Sequence, residues 1–193
     1  MTALILPVMS LSGRVFAVTG GASGIGLATA KLISERGGAV CIADVNTAAL
    51  EEVEAYLNSK VPKVPFSVTQ VDVSDKNQVE SWFDGIKSQF GRLDGAANIA
   101  GIIGKSHGLQ PLSELEDDEW FKILNINLTG MMYCLRAELN HIGNGGSIVN
   151  MASIHATTGK LSSPKSHIGY YPPQTRLHIY QPLNVISIAS NCK

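Results

Sequence analysis

The sequence predicts an α/β fold, a doubly wound parallel sheet with helices on both faces. Strand-like apolar runs alternate with amphipathic helical patterns from Arg14 to Met151. A glycine-rich turn joins the first strand to the first helix, and Asp44 closes the second strand. In sheets of this kind ligands bind outside the carboxyl ends of the strands, which is where both features fall.

The first part of the chain supplies two strand–helix units. Residues 14–18 form an apolar run with β-branched side chains, which is typical of a buried strand. Apolar side chains then recur at helical spacing from Ile25 to the glycine pair at 37–38, which ends the helix. Residues 39–43 form the second strand, and Asn46 is placed to cap a helix over residues 48–57.

The middle of the chain supplies three further strands. Residues 66–71 are strand-like, and residues 76–90 carry an apolar stripe that predicts an amphipathic helix ended by Gly91. Residues 93–98 form a strand of small residues, followed by a polar loop over residues 102–116. A long helix is predicted over residues 120–140 and a fifth strand over residues 147–151.

The glycine turn, residues 19–26, has the spacing G-x-x-x-G-x-G. Glycine allows a tight backbone and lets a phosphate approach main-chain N–H groups. The start of the following helix adds free N–H donors and a favourable dipole for an anion. The same pattern also occurs as a plain tight turn, so on its own it is a weak signal.

Asp44 lies at the distance from the glycine turn that is typical of a ribose-binding acid. A carboxylate there accepts hydrogen bonds from both hydroxyls of an adenosine ribose and repels a 2′-phosphate. It therefore favours NAD(H) over NADP(H), without excluding NADP(H). The alternative is that Asp44 only caps the helix that follows.

Composition narrows the possible partners and compartment. The 193 residues suit one domain, with 45% hydrophobic residues and a net charge of −1, which gives no reason to expect nucleic acid or an anionic membrane as a partner. No segment has the features of a signal peptide or the length of a membrane span. The three cysteines are far apart, so neither disulfides nor a metal site is indicated, and a cytoplasmic location is expected.

Five motifs, in order, resemble those of the short-chain dehydrogenase/reductase family. They are the glycine turn at 19–26, Asp72-Val73, Asn98-Ile99-Ala100-Gly101, Asn127-Leu128-Thr129-Gly130, and residues 146–153, Gly-Ser-Ile-Val-Asn-Met-Ala-Ser. The resemblance covers residues 11–159 and implies a Rossmann-like fold. It implies hydride transfer between a nicotinamide dinucleotide and a secondary alcohol or ketone, by a protein that forms homo-oligomers.

The resemblance also implies a role for individual residues. Two would be catalytic: Ser153 would hydrogen-bond the substrate oxygen, and Asn127 would hold a proton-relay water. The glycine turn would pass the pyrophosphate, Asp44 would bind the ribose, and Asp72 with Val73 would flank the adenine. The full cofactor-binding set would be Gly20, Ser23, Gly24, Ile25, Gly26, Asp44, Asp72, Val73, Asn98, Ala100 and Gly101.

One part of the family pattern is missing. The family's general acid is a tyrosine followed four residues later by a lysine, expected near position 166, where this sequence has Ser166. The one Tyr-x-x-x-Lys in the sequence is Tyr56 to Lys60, which we interpret as a chance match on the second helix. From Lys160 onward prolines interrupt the helix that the family would have there.

We therefore expect two parts, a dinucleotide-binding domain over residues 1–159 and an irregular tail over residues 160–193. The tail is expected to be foreign to the fold, through altered splicing, a retained intron or a frameshift, and to weaken assembly. A natural, divergent ending is the alternative. Two other functions stay open: a catalytically inactive dinucleotide-binding remnant, and another nucleotide-binding protein such as a methyltransferase, which would leave the 98–101 motif and Ser153 unexplained.

Overall fold

Five parallel strands form one sheet in the computed structural model, which describes residues 10–60, 63–105 and 114–153. The spatial order is β3-β2-β1-β4-β5, so the sheet winds in opposite directions from the middle, between β1 and β4. The strands are β1 (Val15–Thr19), β2 (Ala39–Asp44), β3 (Phe66–Gln70), β4 (Gly95–Asn98) and β5 (Ser147–Asn150). The predicted doubly wound α/β fold is confirmed. The expected tail at 160–193 and position 166 lie outside the described residues.

Helices cover both faces of the sheet. They are α1 (Gly24–Glu35), α2 (Thr47–Asn58), α3 (Lys76–Phe90), α4 (Asp117–Leu124) and α5 (Met131–His141). The predicted cap of α2 is confirmed, because Oδ1 of Asn46 accepts a hydrogen bond from the N–H of Ala49 at 3.1 Å. Asp75 caps α3 in the same way, and α3 ends at Gly91 as predicted. In the described residues no helix combines the length and apolar character needed to cross a bilayer.

The two faces of the sheet form separate cores. Successive residues of β1 alternate between them: Val15 and Ala17 pack on the side of α3 and α5, and Val18 packs on the side of α1 and α2. The register aligns the carboxyl ends of the strands, with Thr19 level with Ala43 on one side and with Asn98 on the other. Residues that follow the strands are thereby brought to one edge of the sheet.

The predicted long helix over residues 120–140 is present and continuous, but it is not α-helical throughout. The structure has three consecutive segments: α4, a π-helical segment at Asn125–Gly130, and α5. A π-helical turn holds more residues than an α-helical turn, so it changes which side chains face the sheet. Within this segment Asn127 is 1% exposed and contacts the chain that follows β4.

Candidate functional site

The turn between β1 and α1 packs against the turn that follows β4. Gly20 has a φ of +64°, and a Cβ atom there would lie 2.8 Å from the backbone N and Cα of Ala100. A Cβ atom at Gly26 would overlap the carbonyl group of Gly20. The hydroxyl oxygen of Thr19 accepts hydrogen bonds from the N–H groups of Ile99 at 3.1 Å and Ala100 at 3.2 Å. The ends of β1 and β4 are therefore held together as one unit.

The start of α1 has the properties of an anion site. Ser23 is the N-cap residue, and its side chain makes no capping hydrogen bond. The first turn contains no acidic residue, and Ile25 is 60% exposed. The N–H groups of Gly24, Ile25 and Gly26 therefore have no acceptor from a capping side chain. Such groups, with the positive end of the helix dipole, bind phosphate.

Asp44 lies beside this turn, at the carboxyl end of β2. Its Oδ2 accepts a hydrogen bond from the N–H of Ala22, and its Oδ1 accepts one from the N–H of Asn46, both at 3.1 Å. Each carboxylate oxygen can accept a further hydrogen bond. The carboxylate is therefore fixed in place by the backbone and can still accept hydrogen bonds from a pair of hydroxyl groups.

Asn98 lies beneath these turns rather than in them. It is 3% exposed, and its Nδ2 donates to Oε2 of Glu138 at 3.1 Å and to Oδ1 of Asn150 at 2.9 Å. Its carbonyl oxygen accepts a hydrogen bond from the N–H of Met151 at 2.8 Å. Asn98 thus joins the end of β4 to the end of β5. Ser153, half-buried, follows two residues after Met151.

The side-chain amide of Asn127 forms two hydrogen bonds with the backbone of one residue. Its Oδ1 accepts a hydrogen bond from the N–H of Ile102, and its Nδ2 donates to the carbonyl oxygen of Ile102, both at 2.8 Å. This side chain therefore fixes the segment after β4 against the π-helical segment. The water-holding role inferred from the family resemblance stays a prediction.

A cavity of about 560 Å³ opens at this edge of the sheet. Ten of the eleven residues predicted to bind the cofactor line it, all except the buried Asn98. They are Gly20, Ser23, Gly24, Ile25, Gly26, Asp44, Asp72, Val73, Ala100 and Gly101. Neither Ser153 nor Asn127 lines the cavity, although Met151 and Ile126, their near neighbours in sequence, do. A second hollow, of about 370 Å³, shares Asp72, Lys122 and Ile126 with it.

Several lining residues and one buried acid were not predicted from the sequence. Lys122 and Ile126 line the cavity, and their spacing of four on one helical face, just before Asn127, was an available signal. Glu138 was also missed. It lies on the apolar face of α5 with Met131 and Cys134, and a charged residue on such a face was the signal. Burial raises the pKa of Glu138 to about 7, against a smaller lowering by the hydrogen bond from Asn98.

The Tyr-x-x-x-Lys match lies away from the cavity. The hydroxyl of Tyr56 donates to Glu35 of α1 at 3.4 Å, and the ammonium groups of Lys31 and Lys60 each lie 4.3 Å from the centre of its ring. None of these residues lines the cavity. Tyr56 and Lys60 therefore stabilise the surface of the α1–α2 pair.

Comparison with known proteins gives consistent matches. A family model described as enoyl-(acyl carrier protein) reductase matches residues 20–165. The short-chain dehydrogenase/reductase ABA4 of Pyricularia oryzae is 55% identical over 159 residues, which are 82% of this chain and 59% of that protein. A chanoclavine-I dehydrogenase of Aspergillus fumigatus is 39% identical over 153 residues, 75% of this chain and 58% of that protein.

Solved structures give the same result. Levodione reductase matches with a TM-score of 0.76 and 32% identity, over 86% of this chain and 62% of that one. NAD⁺-bound xylitol dehydrogenase matches with a TM-score of 0.77 and 31% identity, over 88% of this chain and 62% of that one. The chain spans about 59% of the length of the curated relatives it matches. This chain belongs to the short-chain dehydrogenase/reductase family.

Proposed function

We propose that this chain binds a nicotinamide dinucleotide, NAD(H) in preference to NADP(H), in the cavity at the carboxyl ends of the strands. The observation that carries the proposal is the position of Asp44, whose carboxylate is held at the cavity by the N–H of Ala22. A 2′-phosphate beside it would meet a negative charge, whereas two ribose hydroxyls would meet acceptors. The similarity to NAD⁺-bound xylitol dehydrogenase supports the same cofactor.

The remaining lining supports a position for the rest of the dinucleotide. The pyrophosphate would lie at the start of α1, where the N–H groups of Gly24, Ile25 and Gly26 lack a side-chain cap. The adenine would lie between Ile126 and the Asp72–Val73 segment, which follows β3. All three residues line the cavity. The nicotinamide half would lie over Ala100 and Gly101.

We propose further that this chain catalyses hydride transfer between the nicotinamide and a secondary alcohol or ketone. The nicotinamide supplies the redox chemistry when bound. Negative charge builds on the substrate oxygen in the transition state, and a hydroxyl donor such as Ser153 would stabilise it there. Asn127 holds the segment at Ile102, which lines the cavity.

A second function has its own supporting observation. The sequence contains no Tyr-x-x-x-Lys after Ser153, and the one match, at Tyr56, lies away from the cavity. A chain without the general acid would bind the dinucleotide and turn over slowly or not at all. The two functions share the cofactor and differ in turnover, so one set of assays separates them.

The test is NADH binding, followed by fluorescence, in the wild type and in D44N. The wild type is expected to bind NADH more tightly than NADPH. D44N loses a charge-assisted hydrogen bond to the ribose, so we expect its affinity for NADH to fall about tenfold. It also loses the charge that repels a 2′-phosphate, so its preference for NADH over NADPH should be smaller. E54Q, an exposed change on α2, is the control and should match the wild type. Equal affinities for NADH and NADPH in the wild type would overturn the assignment of Asp44.

Turnover is tested by oxidation of NADH with a panel of ketones and sugars. Measurable oxidation that S153A abolishes would support the oxidoreductase, and binding without oxidation would support the inactive binder.

A cytoplasmic setting is part of the proposal and agrees with two buried free cysteines, Cys41 and Cys134. Weak assembly is also proposed, and a stable tetramer in size-exclusion chromatography would contradict it.

A further inference from the structure

A carboxyl group is buried beneath the cavity, where the proposed reaction does not use it. Glu138 of α5 is 0% exposed, and its Oε2 accepts a hydrogen bond from Nδ2 of Asn98 at 3.1 Å. Its other oxygen, Oε1, has no hydrogen-bond partner among the described residues, and Oδ1 of Asn98 has none there either. A buried polar atom without a hydrogen-bond partner costs free energy. Two such atoms on side chains that are hydrogen-bonded to each other therefore call for an explanation.

The chemistry of the two groups offers one. An ionised carboxylate only accepts hydrogen bonds, whereas a protonated carboxyl group has one O–H donor. An acid and a primary amide can therefore exchange two hydrogen bonds, N–H to the acid and O–H to the amide oxygen. The bond from Nδ2 of Asn98 to Oε2 of Glu138 is one of these. The two oxygens without a partner, Oε1 of Glu138 and Oδ1 of Asn98, are the atoms that the second bond would join.

We propose that Glu138 is protonated on Oε1 and donates this proton to Oδ1 of Asn98, and that the resulting acid–amide pair is a positioning device for the dinucleotide cavity. The second N–H of the Asn98 amide goes to Oδ1 of Asn150 at 2.9 Å. The orientation of one amide thus links α5 to the ends of β4 and β5, which precede Gly101 and Ser153. The positioning step rests on the proposed cofactor site, whereas the protonation of Glu138 does not.

The electrostatic surroundings agree with a neutral acid. Burial raises the pKa of Glu138 to about 7, and the hydrogen bond from Asn98 is the other contribution. No basic group of the described residues lowers it. Cys134, one turn earlier on α5, is the titratable neighbour, and burial and the charge of Glu138 both raise its pKa. From α3, which packs along α5, Asp84 is paired with His141 at 3.0 Å.

The consequence is a specific pH dependence of folding. The folded pKa of about 7 lies above the ordinary value of 4.5, so the folded chain binds this proton more tightly than the unfolded chain. The stability from the neutral acid is complete below pH 4.5 and is lost as the pH rises through 7. Between about pH 5.5 and about pH 8.5 the folding equilibrium constant should fall about thirtyfold from this group.

Two substitutions of Glu138 separate the pair from a merely structural role. E138Q can keep both hydrogen bonds, since its amide donates to Oδ1 of Asn98 and accepts from Nδ2, but it does not titrate in this range. E138L has similar volume and leaves the Asn98 amide without its partner. E54Q, which removes an exposed carboxyl group on α2, is the matched control. The full chain is used, with urea unfolding at several pH values and infrared spectra in deuterium oxide.

The thirtyfold fall of the folding equilibrium constant with pH should disappear in E138Q and remain in E54Q. E138L should be less stable than E138Q. The infrared difference between wild type and E138Q should show the carbonyl band of a protonated carboxyl group at about pH 5.5. A pH profile of E138Q parallel to the wild type, or no such band, would overturn the protonation. An E138L chain that does not fold leaves the decision to E138Q and the spectrum.

NADH binding tests the positioning step. The affinity of the wild type should fall at least threefold between about pH 5.5 and about pH 8.5, and that of E138Q should stay level with pH. An affinity that changes equally with pH in both proteins would contradict positioning by Glu138. If the wild type binds no NADH at any pH, the proposed function fails, and the folding profile and the spectrum still decide whether Glu138 carries the proton.

Discussion

Substitution of Gly26 by alanine is expected to disrupt the turn at the centre of the candidate site. The added Cβ would lie 2.7 Å from the carbonyl carbon of Gly20 and closer still to its oxygen, whereas ordinary contact begins at 3.4 Å. These neighbouring atoms are backbone, so they can move only if the turn and the start of α1 separate. Overpacking against backbone costs about 3 kcal/mol, at the upper end of its usual range.

Urea unfolding followed by tryptophan fluorescence measures this loss. With an m-value of about 2 kcal/mol/M, a loss of 3 kcal/mol lowers the midpoint by about 1.5 M. G85A is the control, because Gly85 is exposed within α3 and a Cβ there meets no atom within 4 Å. Alanine is the better helix former, so G85A should gain about 0.5–1 kcal/mol. A G26A midpoint equal to that of the wild type would refute the close packing of the turn.

Two further changes test other contacts near the cavity. T19V keeps the shape of Thr19 but leaves the N–H groups of Ile99 and Ala100 without their acceptor. The free energy of unfolding, measured with urea, should therefore fall by about 2 kcal/mol. T29V, which removes a hydroxyl within α1, is the control, and a T19V chain as stable as T29V would contradict the prediction. Hydrogen bonds from the backbone of α3 lower the pKa of Asp75 below 3.8, so its stabilising effect is present above that pH and is lost as the pH falls. D75A should therefore be less stable than the wild type at neutral pH, with the difference shrinking in acid; a constant difference would count against the cap.

Local pattern was enough to predict most of the fold. The glycine turn, the cap at Asn46 and the stop at Gly91 depend on neighbouring residues, and the structure agrees with each of them. The parallel sheet was predicted from the alternation of strands and helices, which is typical of βαβ units with right-handed crossovers. These features could be predicted because each is determined within a short stretch of chain.

The features that were missed depend on contacts between distant segments. The π-helical segment within the predicted 120–140 helix contains Asn127, whose side chain bonds the backbone of Ile102, 25 residues away. The burial of Asn98 involves Glu138, 40 residues away. Helical periodicity contains no information on such pairs. Asn98 was assigned to the cofactor-binding set from its motif; the structure places it beneath the residues that line the cavity, and its contact with a cofactor stays a prediction.

The most direct test of the dinucleotide site is a crystal structure of this chain with NAD⁺. The proposed function predicts density for the pyrophosphate at the N–H groups of Gly24 to Gly26, and for the adenosine ribose within hydrogen-bond distance of Asp44. A chain that crystallises with the cavity unoccupied at saturating NAD⁺, or that holds NAD⁺ elsewhere, would contradict it.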